Sequence, residues 1–156
     1  MSGKYLIFGA TGSIGSNLAK LMVGKNHDVQ LIGRDEENLK NISSETGCKY
    51  SVVDVLDSAK IESLKNEFAN EEIKGIAYCV GSIDLKPLRM VKKEDFQKCF
   101  DLNFYPIVEI IKNFQESLKK NKGSVVIFFS NGLSSISKHE ISLILFFFKI
   151  FFIFKR

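Results

Sequence analysis

Short apolar runs alternate with stretches of helical rhythm along most of the chain. Residues 5–8 are apolar throughout and are closed by Gly9, which predicts a buried strand. Ile14, Leu18, Leu21 and Met22 then recur on one helical face over residues 14–23, and Gly24 ends the pattern. Residues 29–32 predict a second strand before Gly33. Residues 36–45 predict a polar helix with Leu39 and Ile42 inward, closed by Gly47. Residues 51–55 follow as a third strand. Ser58 is placed to cap a helix over 59–69 that buries Ile61, Leu64 and Phe68. Residues 76–80 predict a fourth strand ending at Gly81. After a loop around Pro87, helical rhythm runs from Glu94 to about Leu118, bent or interrupted near Pro106. Residues 124–129 predict a fifth strand after Gly123. This alternation predicts an α/β fold: a doubly wound parallel sheet of about five strands, with right-handed crossovers and helices on both faces.

The last stretch breaks the pattern. Residues 141–156 use only Ile, Ser, Leu, Phe, Lys and Arg, and hold six of the 14 phenylalanines. The chain therefore divides into a domain over 1–140 and an aberrant apolar tail over 141–156. All residue types of the tail have A- and T-rich codons, so a frame shift or truncation in an AT-rich gene is the expectation. An apolar run of this length, interrupted by Lys149, is short for a membrane span, which needs about 20 residues. It predicts a core-covering or interfacial segment and self-association instead.

Length and charge narrow the function classes. At 156 residues the chain is one domain's worth. Its net charge is +4, but three of those charges come from Lys138, Lys149, Lys155 and Arg156 set against Glu140. The body is close to neutral, which argues against a nucleic-acid partner. Cys48, Cys79 and Cys99 are odd in number and widely spaced, so a disulfide framework or zinc knuckle is not expected, and a reducing cytoplasm is the simplest location.

The sharpest local signal is Gly9-Ala10-Thr11-Gly12-Ser13-Ile14-Gly15, between the first strand and the first helix. Glycines there permit a tight turn and let a pyrophosphate reach bare backbone, and the helix start offers unpaired N–H groups. The alternative is a turn that merely joins two packed elements. At the end of the second strand, Arg34 can pair with a ribose 2′-phosphate, which favours NADP. Asp35 lies 20 residues beyond Gly15, which keeps NAD in play. Against this, Arg34 could simply be the solvated start of a helix. Asp54, in Val52-Val53-Asp54-Val55, is placed to meet an adenine edge, or is a solvated carboxylate at a strand end. Gly81 would let the backbone approach a ribose, or is an ordinary turn glycine.

Taken together, residues 4–130 resemble the short-chain dehydrogenase/reductase family, with its Rossmann-like, NAD(P)-binding fold, incomplete here on the C-terminal side. Gly9, Gly12 and Gly15 are similar to the family's cofactor motif, with Ser13 where its commoner branch has the middle glycine. Asp54-Val55 is similar to the adenine-ring segment. Tyr78-Cys79-Val80-Gly81 stands where the family has Asn-Asn-Ala-Gly and keeps only the glycine. The resemblance implies that Asn103 is the structural and catalytic asparagine and that Ser130 is the catalytic serine. It implies hydride transfer between a nicotinamide dinucleotide and a small carbonyl or alcohol substrate. It also implies a tyrosine about a dozen residues after Ser130 and a lysine four further on. The first window holds Ser142, Leu143 and Ile144, and the second holds Phe146, Phe147 and Phe148. No tyrosine follows Tyr105. His139 could exchange protons but has no partner in the pattern. Two readings follow: an oxidoreductase, and a nucleotide-binding remnant or sensor without turnover.

Overall fold

The structure is a computed structural model and describes residues 3–82 and 87–127. Its five strands are β1 (Lys4–Phe8), β2 (Asp28–Gly33), β3 (Lys49–Val52), β4 (Ile73–Tyr78) and β5 (Ser124–Ile127). The helices are α1 (Ser13–Val23), α2 (Glu36–Thr46), α3 (Ser58–Glu67), α4 (Lys93–Asn103) and α5 (Tyr105–Lys120), with a short 3₁₀ turn at Leu88–Met90. All strand pairs are parallel, in the order β3-β2-β1-β4-β5. The chain winds outward from β1 to β3, then crosses back over β1 to β4 and winds the other way. This is the doubly wound sheet that the alternation predicts.

β1 lies in the middle, and its period-2 alternation feeds two separate cores. Leu6 and Phe8 pack with Ile61, Leu64 and Phe68 of the α3 side and with Ile107, Ile110, Phe114 and Leu118 of α5. Ile7 points the other way, towards Ala19 of α1 and Leu39 of α2. A strand buried on both faces has no room for a polar position, which is why residues 5–8 read as one apolar run.

Several elements depart from expectation. On α1, Gly15 and Ala19 are pressed against the sheet, and of the expected stripe Leu18 and Met22 pack against the same core while Ile14 and Leu21 turn outward. Ile14 is 42% exposed and Leu21 59% exposed, because they lie to the side of the face that Gly15 and Ala19 bring close to β1. α3 is capped by Asp57, whose carboxylate accepts from the N–H groups of Ala59 and Lys60, so Ser58 is already helical. β3 starts two residues earlier than expected and ends at Val52, leaving Asp54 in the following loop. β4 begins at Ile73, because Gly75 pairs in the sheet where the Tyr5 ring leaves no space for a Cβ. Of the expected fifth strand, Ser124–Ile127 is described. It pairs with β4 on one side, and Val126 is 45% exposed.

The long helical stretch divides at Phe104, which has φ −124° and ψ −53°. Pro106 supplies the reason. It has no N–H to give to the carbonyl of Leu102, four residues earlier. The buried Tyr78 hydroxyl donates to that carbonyl instead, at 2.8 Å. The Ile107 N–H turns to Phe104 O, at 3.1 Å, rather than to Asn103 O. Tyr78 thus ties the end of β4 to the helix break.

Tyr78→Phe leaves the Leu102 carbonyl without a donor. The expected loss is about 1–3 kcal/mol of unfolding free energy. Urea denaturation of the variant beside wild type checks it; an unchanged midpoint would show that the hydroxyl is not what satisfies the break.

Candidate functional site

The three glycines of the β1–α1 turn have different duties. Gly9 has φ +75°, and a Cβ there would lie 2.8 Å from the Cys79 carbonyl carbon and the Val80 nitrogen at the end of β4. Gly15 is buried, and a Cβ there would overlap Gly9 O and stand 2.9 Å from Ala10 Cα. Gly12 is different: it is exposed, and its Cβ would make only an ordinary contact, 3.4 Å from Gly9 O. Gly12 is also the N-cap of α1, and no side chain caps that end. Ser16 N–H closes the first helical bond onto Gly12 O, so the N–H groups of Ser13, Ile14 and Gly15 precede the ladder. The turn therefore presents open backbone and a helix dipole at the same place.

This turn opens at the C-terminal edge of the sheet, where β1 and β4 lie side by side and the direction of winding reverses. In open α/β sheets that crevice is where ligands bind. A cavity of about 230 Å³ lies there, lined by Gly9, Thr11, Arg34, Asp54, Val55 and Gly81 among others. Six expected binding residues from four separate loops thus meet at one cavity. Gly12, Ser13, Ile14 and Gly15 lie in the adjoining turn and first turn of α1. Val53, Val80, Ser82 and Leu102 also line the cavity and were not expected. None carries a motif of its own; each stands beside an expected residue.

The two charges after β2 are disposed differently. Arg34 is exposed, lines the cavity and makes no ion pair with the described residues. Asp35 is the N-cap of α2. Its Oδ1 accepts from Asn38 N at 3.0 Å, and its Oδ2 accepts from Asn38 Nδ2 at 2.6 Å. Those two bonds, with Arg34 nearby, hold its carboxyl below the usual range. Asp54 is half-buried, and its Oδ1 accepts from Leu56 N at 3.0 Å.

Behind Gly81, Asn103 is 8% exposed and braces the β4 loop. Its Nδ2 donates to Ser82 O at 3.0 Å and to Cys99 O at 2.9 Å, and its Oδ1 accepts from Ser82 N at 2.9 Å. The side-chain amide is committed to the loop. The helix break also parts the Asn103 carbonyl from the Ile107 N–H. Burial pushes the Cys79 thiol up to about 12 and, with the Asp54 charge, raises Tyr78 as well. Ser130 and His139 lie outside the described residues, as do Ser142 and Phe146–Phe148.

A larger depression of about 510 Å³ lies at the other end of the strands. Of its lining, Lys4 pairs with Glu71 and with Asp28 outside it, and Gln30 donates to Ser51, which in turn donates to Glu67. It has no part in the glycine turn. Among the described residues, no helix is long and apolar enough to cross a membrane.

Comparison with known proteins places the same stretch in context. The family model described as short chain dehydrogenase matches residues 4–140. The chain is 28% identical over 118 residues to an NADPH-dependent 1-acyldihydroxyacetone phosphate reductase of Schizosaccharomyces pombe, covering 74% of this chain and 40% of that protein. It is 32% identical over 100 residues to the 3-oxoacyl-[acyl-carrier-protein] reductase FabG of Rickettsia felis, covering 63% of this chain and 41% of that protein. The chain thus matches less than half the length of these two relatives. A short-chain dehydrogenase/reductase from Saccharomyces cerevisiae superposes with a TM-score of 0.77 at 22% identity, over 86% of this chain and 56% of that one.

Two expectations follow from this geometry. Gly15→Ala should cost about 1–3 kcal/mol or more through backbone overlap, whereas Gly12→Val should cost under about 1 kcal/mol as a poorer N-cap. Thermal melting of both variants checks the order, and equal losses would contradict the separate roles. The second concerns pH. The folded chain favours the neutral Cys79 thiol, and the unfolded chain loses that proton first, near the ordinary value of 9.0. This contribution is therefore complete below about pH 9 and is lost as pH rises towards 12. Denaturation across that window should show falling stability, with a shallower slope in Cys79→Ala; an identical slope would refute it.

Proposed function

The chain belongs to the short-chain dehydrogenase family, and from that premise we propose that it binds a nicotinamide dinucleotide, NADP in preference to NAD, along the C-terminal edge of the sheet. The observation that carries this proposal is the meeting of Gly9, Thr11, Arg34, Asp54, Val55 and Gly81 at one cavity beside an uncapped helix N-terminus. A pyrophosphate suits that edge on two counts: Gly12 leaves space where a side chain would stand, and the first N–H groups of α1 precede the helical ladder. Thr11, Ser13, Ile14 and Gly15 frame the phosphates in this reading. Asp54 and Val55 meet the adenine, and Gly81 gives the ribose close access to backbone. Arg34 pairs with the 2′-phosphate through a charge-assisted contact. The S. pombe relative is an NADPH-dependent reductase, which agrees with that preference.

Residues 1–140 form the dinucleotide-binding unit of an oxidoreductase that acts on a carbonyl or alcohol, with the cytoplasm as its location, and 141–156 form a separate apolar tail. When bound, the nicotinamide supplies or accepts a hydride. Ser130 donates a hydrogen bond to the substrate oxygen, and the carbonyl released at Asn103 holds a water. The tyrosine and lysine of the family pattern have no counterpart at 142–144 or 146–148. General acid–base help is worth about 10²–10⁴-fold. That absence favours the second reading, binding with little or no turnover.

Dye-detected melting with NADP, NAD or neither tests the binding. NADP should raise the melting temperature, since it stabilises only the folded state. Gly12→Val should remove that shift while remaining folded. A folded wild type with no shift at millimolar NADP or NAD would contradict the proposal. Reduced-nicotinamide absorbance over a carbonyl panel tests turnover. Robust oxidation that vanishes in Ser130→Ala would overturn the second reading. Among the described residues β5 pairs only with β4, and Val126 is exposed; both favour self-association. Light scattering should show oligomers, and a monodisperse monomer at tens of micromolar would refute this.

A further inference from the structure

We infer that Asn38 is a positioning residue for cofactor selectivity: it draws the Asp35 carboxylate away from the cavity edge and so leaves the Arg34 guanidinium free for a phosphate. The inference rests on the proposed binding of a dinucleotide at the glycine turn.

Arg34 and Asp35 are adjacent and both exposed. Left to themselves, opposite charges this close would neutralise each other. A carboxylate facing the cavity would also accept hydrogen bonds from ribose hydroxyls and repel a phosphate. Neither a direct Arg34–Asp35 ion pair nor a cavity-facing Asp35 carboxylate occurs among the described residues. Arg34 lines the cavity and has no ion-pair partner among the described residues, whereas Asp35 is absent from the lining. The backbone N–H of residue 38 holds Oδ1, as any N-cap allows. The side-chain amide of Asn38 does something further. Its Nδ2 holds Oδ2 at 2.6 Å, so both oxygens are turned into the first turn of α2. An alanine at 38 keeps the cap bond and releases Oδ2, which can then rotate towards Arg34 or an incoming ribose.

The experiment compares dissociation constants for NADPH and NADH, from their fluorescence on binding, in the full chain. Four proteins are needed: wild type, Asn38→Ala, Asp35→Ser and the double variant. Serine at 35 keeps an N-cap oxygen but removes the charge. Asn38→Ala should lower the preference for NADPH over NADH by about two- to fivefold, the range for an exposed charge pair. Asp35→Ser should keep or strengthen the preference, and the double variant should behave like Asp35→Ser. A loose helix start would weaken both cofactors alike and leave the ratio unmoved, and that result would overturn the inference. A ratio that falls equally in the Asp35→Ser background would also overturn it, since the effect would not pass through Asp35. Failure of wild type to bind either cofactor would instead defeat the underlying reading of the site.

Discussion

Everything at the ligand edge depends on how closely α1 approaches the end of β1. The approach is possible only because Gly15 has no Cβ: any side chain atom there would run into the Gly9 carbonyl. Gly9 in turn can sit against β4 only with a positive φ and no side chain. Two absent methyl groups therefore bring the helix start, the ends of β1 and β4 and the loop after β4 into one crevice. Gly12 is then left over, with no packing duty of its own. A turn built only for connection would need two of the three glycines. The third has no packing duty, which supports the proposal that a ligand approaches the backbone there.

The rest of the site follows from topology. Parallel strands require crossovers, and right-handed crossovers send α1 and α2 to one face and α3 and α5 to the other. The reversal after β3 leaves β1 and β4 adjacent with their following loops diverging. Local interactions then stiffen those loops. Tyr78 satisfies the carbonyl that Pro106 abandons, and Asn103 clamps Ser82. The helix break at Phe104 is thus both stabilised from the sheet and used to hold the loop that faces the cavity.

What the sequence revealed depended on whether the cause was local. The glycine turn, the second-strand end at Gly33 and the left-handed stop at Gly47 are local chemistry, and each lies where the pattern predicts. The start of β4 was hidden because Lys74 and Gly75 do not look like strand residues; a tertiary contact with Tyr5 selects the glycine. Of the α1 stripe, Leu18 and Met22 pack against the core, whereas Ile14 and Leu21 fall outside the face that Gly15 and Ala19 bring to the sheet. Asp57 and Ser58 can both cap a helix, and nothing local separates them. The bond from Asn103 to Ser82 spans 21 residues, so no motif announces it. Ser130 and the tail after it lie outside the described residues, so the catalytic half rests on resemblance.

The most direct measurement is a titration of the isotopically labelled chain with NADP, followed by backbone amide resonances. The largest changes are expected at Ser13, Ile14 and Gly15, with further changes at Arg34, Asp54, Gly81 and Ser82. Changes confined to the depression around Lys4, Lys49 and Glu71, or no changes in a well-folded sample, would contradict binding at the glycine turn.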